Sequence, residues 1–283
     1  MGVKEKIPGV VFFAAACISA VATLLVFCFM LLVSYPVLLT KGFLINALTS
    51  PWSPHNGQFG IGPMIAGTLY IAFLSLLIAF PLSLGCSIFI ENNQSCTKGR
   101  LLKKIVQLMT AVPTVIYGFV GVFLLVPIVR QLFVSGSGMC ILSASLMLAL
   151  LISPTMILFF SQSFAMVPKT YLNAVDALGS NGFQKFFYVI LPNAWQGILT
   201  GLVLGFGRAM GDTLIALMLS GNSVMLPTTL LGSARTLTSH IALIIAADFD
   251  SIEFKILFLC GIILYLMTSS VMIMVRYFDR RQA

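Results

Sequence analysis

Six apolar stretches divide the chain, over residues 10–39, 63–90, 105–129, 140–166, 194–222 and 254–276. Each runs for about 20 residues or more, which is enough to cross the hydrocarbon core of a bilayer. Barrel strands would alternate apolar and polar positions over about ten residues, and these stretches do not. Helices satisfy every backbone polar group within lipid, so the pattern predicts an all-α membrane protein with six transmembrane helices.

Two polar connections are long. Residues 40–62 are rich in Pro, Gly, Ser and Asn and read as a loop. Residues 167–193 read as helical, with Tyr171, Ala174, Val175 and Leu178 on one face. Pro168 suits the first turn there, Gly179 suits a helix C-terminus, and Ser180 is placed to cap a second short helix. Pro192 is read as starting the fifth span. Asp250 with Glu253 fits a cap and acidic first turn for the last span.

Charge then orients the chain. Only 8% of the 283 residues are charged against 59% hydrophobic, and the net charge is +8. The basic residues lie in short segments between apolar runs, which favours a membrane surface over nucleic acid. With the N-terminus inside, the inner segments carry Lys4, Lys6, Lys98, Arg100, Lys103, Lys104, Lys169, Lys185, Arg276, Arg280 and Arg281. The outer ones carry Lys41, Arg130, Arg235 and Lys255. That bias predicts both termini in the cytoplasm. The first apolar run is too long for a signal peptide, despite Lys4, Lys6 and the Ala14–Cys17 stretch, and reads as a retained helix. The six cysteines (Cys17, Cys28, Cys86, Cys96, Cys140 and Cys260) form no CxxC pair, and no metal-site spacing exists.

The fifth span contains Gly205-Phe206-Gly207-Arg208-Ala209-Met210-Gly211-Asp212-Thr213. Arg208 and Asp212 are four apart, so a continuous helix would place them on one face. A charge at the membrane centre costs about 2.5–3.5 kcal/mol on insertion scales, so neither should face lipid. A structural ion pair and an anion contact by the guanidinium fork both fit. Gly201-x3-Gly205 and Gly207-x3-Gly211 permit close helix approach. The third span carries Val112-Pro113-Thr114, where a kink is expected, followed by Gly118 and Gly121. The outer connection offers Arg235, Thr236, Thr238 and His240, as a gate segment or a polar loop.

Asn173-Ala174-Val175, Gly179 and Val189-Ile190-Leu191-Pro192 keep the spacing of the cytoplasmic EAA loop of ABC importer permeases. The family's acidic residue is replaced by Asn173. Gly207-Arg208-Ala209-Met210-Gly211-Asp212-Thr213 resembles the GRAxGET segment of phosphate permeases of the PstC type, with Asp212 where Glu is usual. Val112–Phe119, Arg235–Thr238, and Trp52-Ser53-Pro54 with Gly57–Gly60 resemble further segments of that family.

The resemblance implies a type I (MetI-like) ABC importer fold. It divides the chain into a first helix and outer loop over 1–62, a permease domain over 63–276 with the EAA-like loop at 168–192, and a cytoplasmic tail over 277–283. It also implies the membrane-spanning subunit of an ATP-driven phosphate importer in the bacterial inner membrane. Its partners would be a PstA-type permease, a PstB-type ATPase dimer and a PstS-type phosphate-binding protein, besides membrane lipid. Arg208, Asp212 and Thr213 would line the substrate path. Arg235, Thr236 and Thr238 would form an outer gate, and Asn173, Ala174, Val175, Gly179, Leu191 and Pro192 would couple to the ATPase. The chain has no GxxxxGK[ST] phosphate loop, so ATP and Mg²⁺ would be bound by the partner and no catalytic residue is expected here. An ion-coupled secondary transporter and an ABC permease for another oxyanion are the alternatives.

Overall fold

Helices account for nearly all the regular structure. The computed structural model describes residues 3–39, 43–94, 96–134 and 136–282, with the side chains of 3–8, 43–45 and 274–282 outside the description. In chain order the helices are α1 (Val3–Leu38), α2 (Phe43–Thr49), α3 (Gly62–Asn92), α4 (Thr97–Thr110) and α5 (Thr114–Phe133). They continue with α6 (Ile141–Ala165), α7 (Lys169–Ala177), α8 (Gly182–Asn193), α9 (Trp195–Gly211), α10 (Leu214–Leu219), α11 (Leu237–Ile244) and α12 (Ile252–Gln282). A two-stranded antiparallel ribbon, β1 (Trp52–Ser53) with β2 (Gln58–Phe59), pins the connection between α2 and α3. Of the basic residues used for orientation, Lys41 lies outside the described residues, as do the side chains of Lys4, Lys6, Arg276, Arg280 and Arg281.

Among the described residues, five helices are long and apolar enough to cross a membrane: α1, α3, α5, α6 and α12. The pair α8 and α9, bent by 68°, makes a sixth if counted as one span. The centre of the bundle is α6, packed against both α3 and α9, which also touch each other. Its Leu148, Ile152, Met156 and Phe160 are fully buried with Ile71 and Ala72 of α3 and Ile198 of α9. Serines stitch the helices where hydrocarbon offers no other partner: Ser83 donates to Ser153 O at 3.3 Å and Ser145 to Ile71 O at 3.4 Å. Such bonds contribute about 0.6 kcal/mol each in membranes. Gly201 and Gly205 admit the side chains of Phe160 and Met156, so the first small-residue pair serves the α9–α6 contact. Gly207 and Gly211 have no heavy atom within 4 Å of a would-be β-carbon, and the second pair is open. The first helix, α1, runs along α12 through Phe27–Tyr265 and Phe29–Phe258 ring contacts.

Several predicted boundaries move. The third span begins at Thr114, and residues 105–110 belong to the separate amphipathic helix α4. Pro113 has no N–H and disfavours helix at Val112, so the chain breaks there instead of kinking. The fifth span is broken at both ends: α9 begins at Trp195 and stops at Gly211, short of Asn222. Pro192 lies in the last turn of α8 rather than opening that span.

Both π-turns precede a proline. Residues Gly121–Leu125 lead into Val126-Pro127, and Phe186–Ile190 into Leu191-Pro192. A proline removes one ladder hydrogen bond and crowds the carbonyl four residues back. The wider turn relieves that crowding while Val126 N–H reaches Gly121 O and Leu191 N–H reaches Phe186 O.

Candidate functional site

The site is built where two chain breaks meet. Helix α9 delivers Arg208 one turn before its end, and Asp212 follows in extended conformation (φ −71°, ψ 130°). Glycine and aspartate are both weak helix formers, and Asp212 acts as a cap: its carboxylate accepts the Ile215 N–H at 2.8 Å and so starts α10. The expected side-by-side pair is therefore absent, because the helix that would align the two residues ends between them. Lys185 and Asp176 form an ion pair, and Arg208 and Asp212 do not. Arg208 instead donates from Nη1 to Thr155 Oγ1 of α6 at 2.9 Å.

The segment after α10 folds back onto this point. After α10 the chain turns at Gly221 (φ +80°) and Asn222 (φ +54°) and returns to bridge Gly221 with Ala234. Thr236 then caps α11 in a reciprocal capping box with Ser239. Thr238 Oγ1 donates to Asp212 O at 2.8 Å, which ties the start of α11 to the break after α9. On the other side Thr68 of α3 accepts the Leu237 N–H at 2.9 Å. A β-carbon at Gly67 would collide with Arg235 O, so α3 and this segment touch backbone to backbone. Arg235 donates from Nε to Asn222 O at 3.0 Å, and its Nη1 lies 3.5 Å from His240 Nδ1. His240 is fully buried, edge-on to Trp52 at 4.3 Å, with Nε2 unpartnered. The residues read as substrate path and outer gate thus meet: Arg208, Asp212, Thr213, Arg235, Thr236 and Thr238 lie on two adjoining breaks. Thr155, Thr68 and Asn222 were missed. Thr155 had one signal, a Ser153-Pro154-Thr155 interruption inside an apolar span.

The connection between α6 and α9 forms a separate surface. Helix α7 ends with Gly179 in the left-handed region (φ +76°), as the glycine position predicts. The second helix is capped by Asn181, not Ser180: Gln184 N–H donates to Asn181 Oδ1 at 2.8 Å and Asn181 N–H to Gln184 Oε1 at 3.1 Å. Lys185 and Asp176 join the two helices at 2.6 Å. Asn173, Ala174, Gly179 and Pro192 are exposed, and Val175 and Leu191 half-buried. Leu172 faces the core, while Tyr171 and Leu178 point outward. Helix α12 is capped by Ser251, whose Oγ accepts the Phe254 N–H at 3.1 Å, so Asp250 is not the cap; Glu253 lies in the first turn.

The family model for binding-protein-dependent transport system inner membrane components matches residues 79–283. A probable ABC transporter permease, YqgH of Bacillus subtilis (strain 168), is 31% identical over 252 residues, covering 86% of this chain and 82% of the relative. The phosphate transport system permease protein PstC of Pasteurella multocida (strain Pm70) is 30% identical over 244 residues, covering 78% and 75%. Among solved structures, a bacterial alginate ABC transporter with its pentasaccharide-bound periplasmic protein superposes with TM-score 0.67 at 13% identity, covering 99% of this chain and 97% of that one. The inward-facing MetNI methionine ABC transporter superposes with TM-score 0.58 at 16% identity, covering 75% and 92%. The fold is therefore the all-α, multi-pass MetI-like permease fold. The chain is a membrane component and not the catalytic subunit of its transport system. This protein belongs to the family of binding-protein-dependent transport system inner membrane components, the ABC importer permeases of the bacterial inner membrane.

Proposed function

We propose that this permease subunit imports phosphate, with Arg208 as the transient anion contact in the path. The observation that carries the reading is the partner of Arg208: a neutral hydroxyl, Thr155, with no carboxylate paired to it among the described residues. A guanidinium kept charged beside a hydroxyl has donors left for a bidentate oxyanion. The likeness of the Gly207–Thr213 segment to PstC-type permeases and the 30% identity to a PstC protein support phosphate as that oxyanion. Asp212 shapes the path by ending α9 and starting α10, and Thr213 follows it at the break. Arg235, Thr236 and Thr238 form the outer gate, since Thr238 joins that segment to the Asp212 backbone.

Both termini face the cytoplasm, and residues 168–192 dock on the ATPase through Asn173, Ala174, Val175, Gly179, Leu191 and Pro192. The open glycine pair Gly207 and Gly211 suits close approach by a second, PstA-type permease. A PstB-type ATPase dimer supplies ATP hydrolysis, and a PstS-type binding protein delivers phosphate from outside. The test is labelled phosphate uptake, with sulfate and arsenate as competitors, by cells carrying the complete system. Phosphate uptake that needs the ATPase and fails in Arg208→Ala is expected. Uptake that collapses with the ion gradient instead would point to a secondary transporter.

A further inference from the structure

Helix α4 has three faces, and only one is used inside the molecule. Val106 and Leu102 pack against Ile90 of α3 and Ile157 of α6, which fixes the helix across the ends of two spans. Leu101, Ile105 and Leu108 form a second ridge, at i, i+4 and i+7, and stay 57%, 45% and 70% exposed. Lys98 lies on one side of that ridge and Lys104 on the other, while Lys103 lies on the opposite face; all three are exposed. The helix contains no acidic residue.

We propose that α4 is an interfacial helix that binds anionic phospholipid. Its ridge enters the acyl boundary, and Lys98 and Lys104, which flank it, hold the headgroup phosphates. Four basic residues among fourteen exclude the hydrocarbon core, and an exposed aliphatic ridge disfavours open water. The two requirements are met together only at the plane between them. Lysine stems can lie along the apolar ridge while the ammonium groups reach the phosphate layer. Charge complementarity selects the occupant: a helix without acids beside a leaflet of negative headgroups gains with each lysine. The placement follows from the ends of α3 and α5, which bracket α4, and does not depend on which ion the permease carries.

The test uses the full chain in nanodiscs, with Leu108→Trp as a reporter and the unsubstituted protein subtracted for Trp52 and Trp195. Brominated phosphatidylglycerol should quench the introduced indole more strongly than brominated phosphatidylcholine at equal mole fraction. The preference should fall by about two- to five-fold for each of Lys98→Gln and Lys104→Gln, fall less for Lys103→Gln on the opposite face, and fade as salt rises. Equal quenching by both lipids would overturn the proposal, because the ridge would then touch lipid without selecting charge. No quenching by either would overturn it as well, because the ridge would then lie away from the bilayer. A circular-dichroism match between each variant and the parent confirms that a lost preference is not lost fold.

Discussion

Arg208 rests against Thr155 while Asp212 spends its carboxylate on the Ile215 N–H. Their substitutions therefore separate cleanly. Asp212→Asn keeps an acceptor oxygen for the cap and should leave thermal stability close to the parent. Asp212→Ala should cost about 1 kcal/mol, read as a lower melting temperature in detergent. Arg208→Lys keeps the charge but loses the planar fork, so phosphate uptake should fall while expression holds. At His240 the outcome depends on pH. Burial, and then the Arg235 charge, push its pKa from 6.5 down to about 3. The unfolded chain takes up a proton below pH 6.5 that the folded chain refuses. The stabilisation is complete above that pH and is lost as pH falls toward 3. Melting temperatures between pH 8 and pH 5 should fall for the parent and flatten in His240→Gln. The spacing of Arg208 and Asp212 was legible in the sequence, but the geometry was not: four residues share a face only if the helix continues. Glycine followed by aspartate was the signal that it stops. Thr155 lies 53 residues from Arg208 in the chain, and no local pattern could pair them.

Helix boundaries here obey their prolines and caps more than their apolar runs. The stretch 105–129 merged two elements because Ile105, Val106, Leu108 and Met109 are apolar, although α4 uses them as packing and exposed ridges. Pro113 carried the boundary. The break at Ala194 follows Pro192-Asn193, a turn signal that the sequence reading took as the start of the fifth span, and the chain bends there by 68°. Gly179 was legible, since a positive φ after a short amphipathic helix favours glycine. Gly179→Ala should cost about 1–2 kcal/mol locally, as a left-handed residue with a β-carbon. Gly179→Trp should further abolish co-purification with the ATPase while membrane insertion persists. Full transport by Gly179→Trp at parental expression would remove residues 168–192 from the coupling account.

At the scale of the whole molecule, α6 is the buried axis, and α1 lies outside it on α12, its side chains almost wholly exposed. The apolar pattern made the all-helical membrane class legible, since spans of this length leave helices as the economical answer. It did not reveal the broken fifth span, because apolar runs continue on both sides of the local signals for its breaks, Gly211-Asp212 and Pro192-Asn193. Orientation is open to a direct check: in a variant retaining Cys96 alone, an impermeant thiol reagent should label it from the cytoplasmic side. Cys96 is exposed beside α4, whereas Cys140 is buried at the start of α6 and should resist labelling from either side. The central claim is phosphate passage past Arg208. Its most direct measurement is ATP-driven uptake of labelled phosphate into proteoliposomes holding the complete importer, with parental or Arg208→Ala permease at matched incorporation. Uptake by the parent that withstands ionophores, and its loss in Arg208→Ala with the assembly intact, is the predicted result; parental rates from Arg208→Ala would contradict the account.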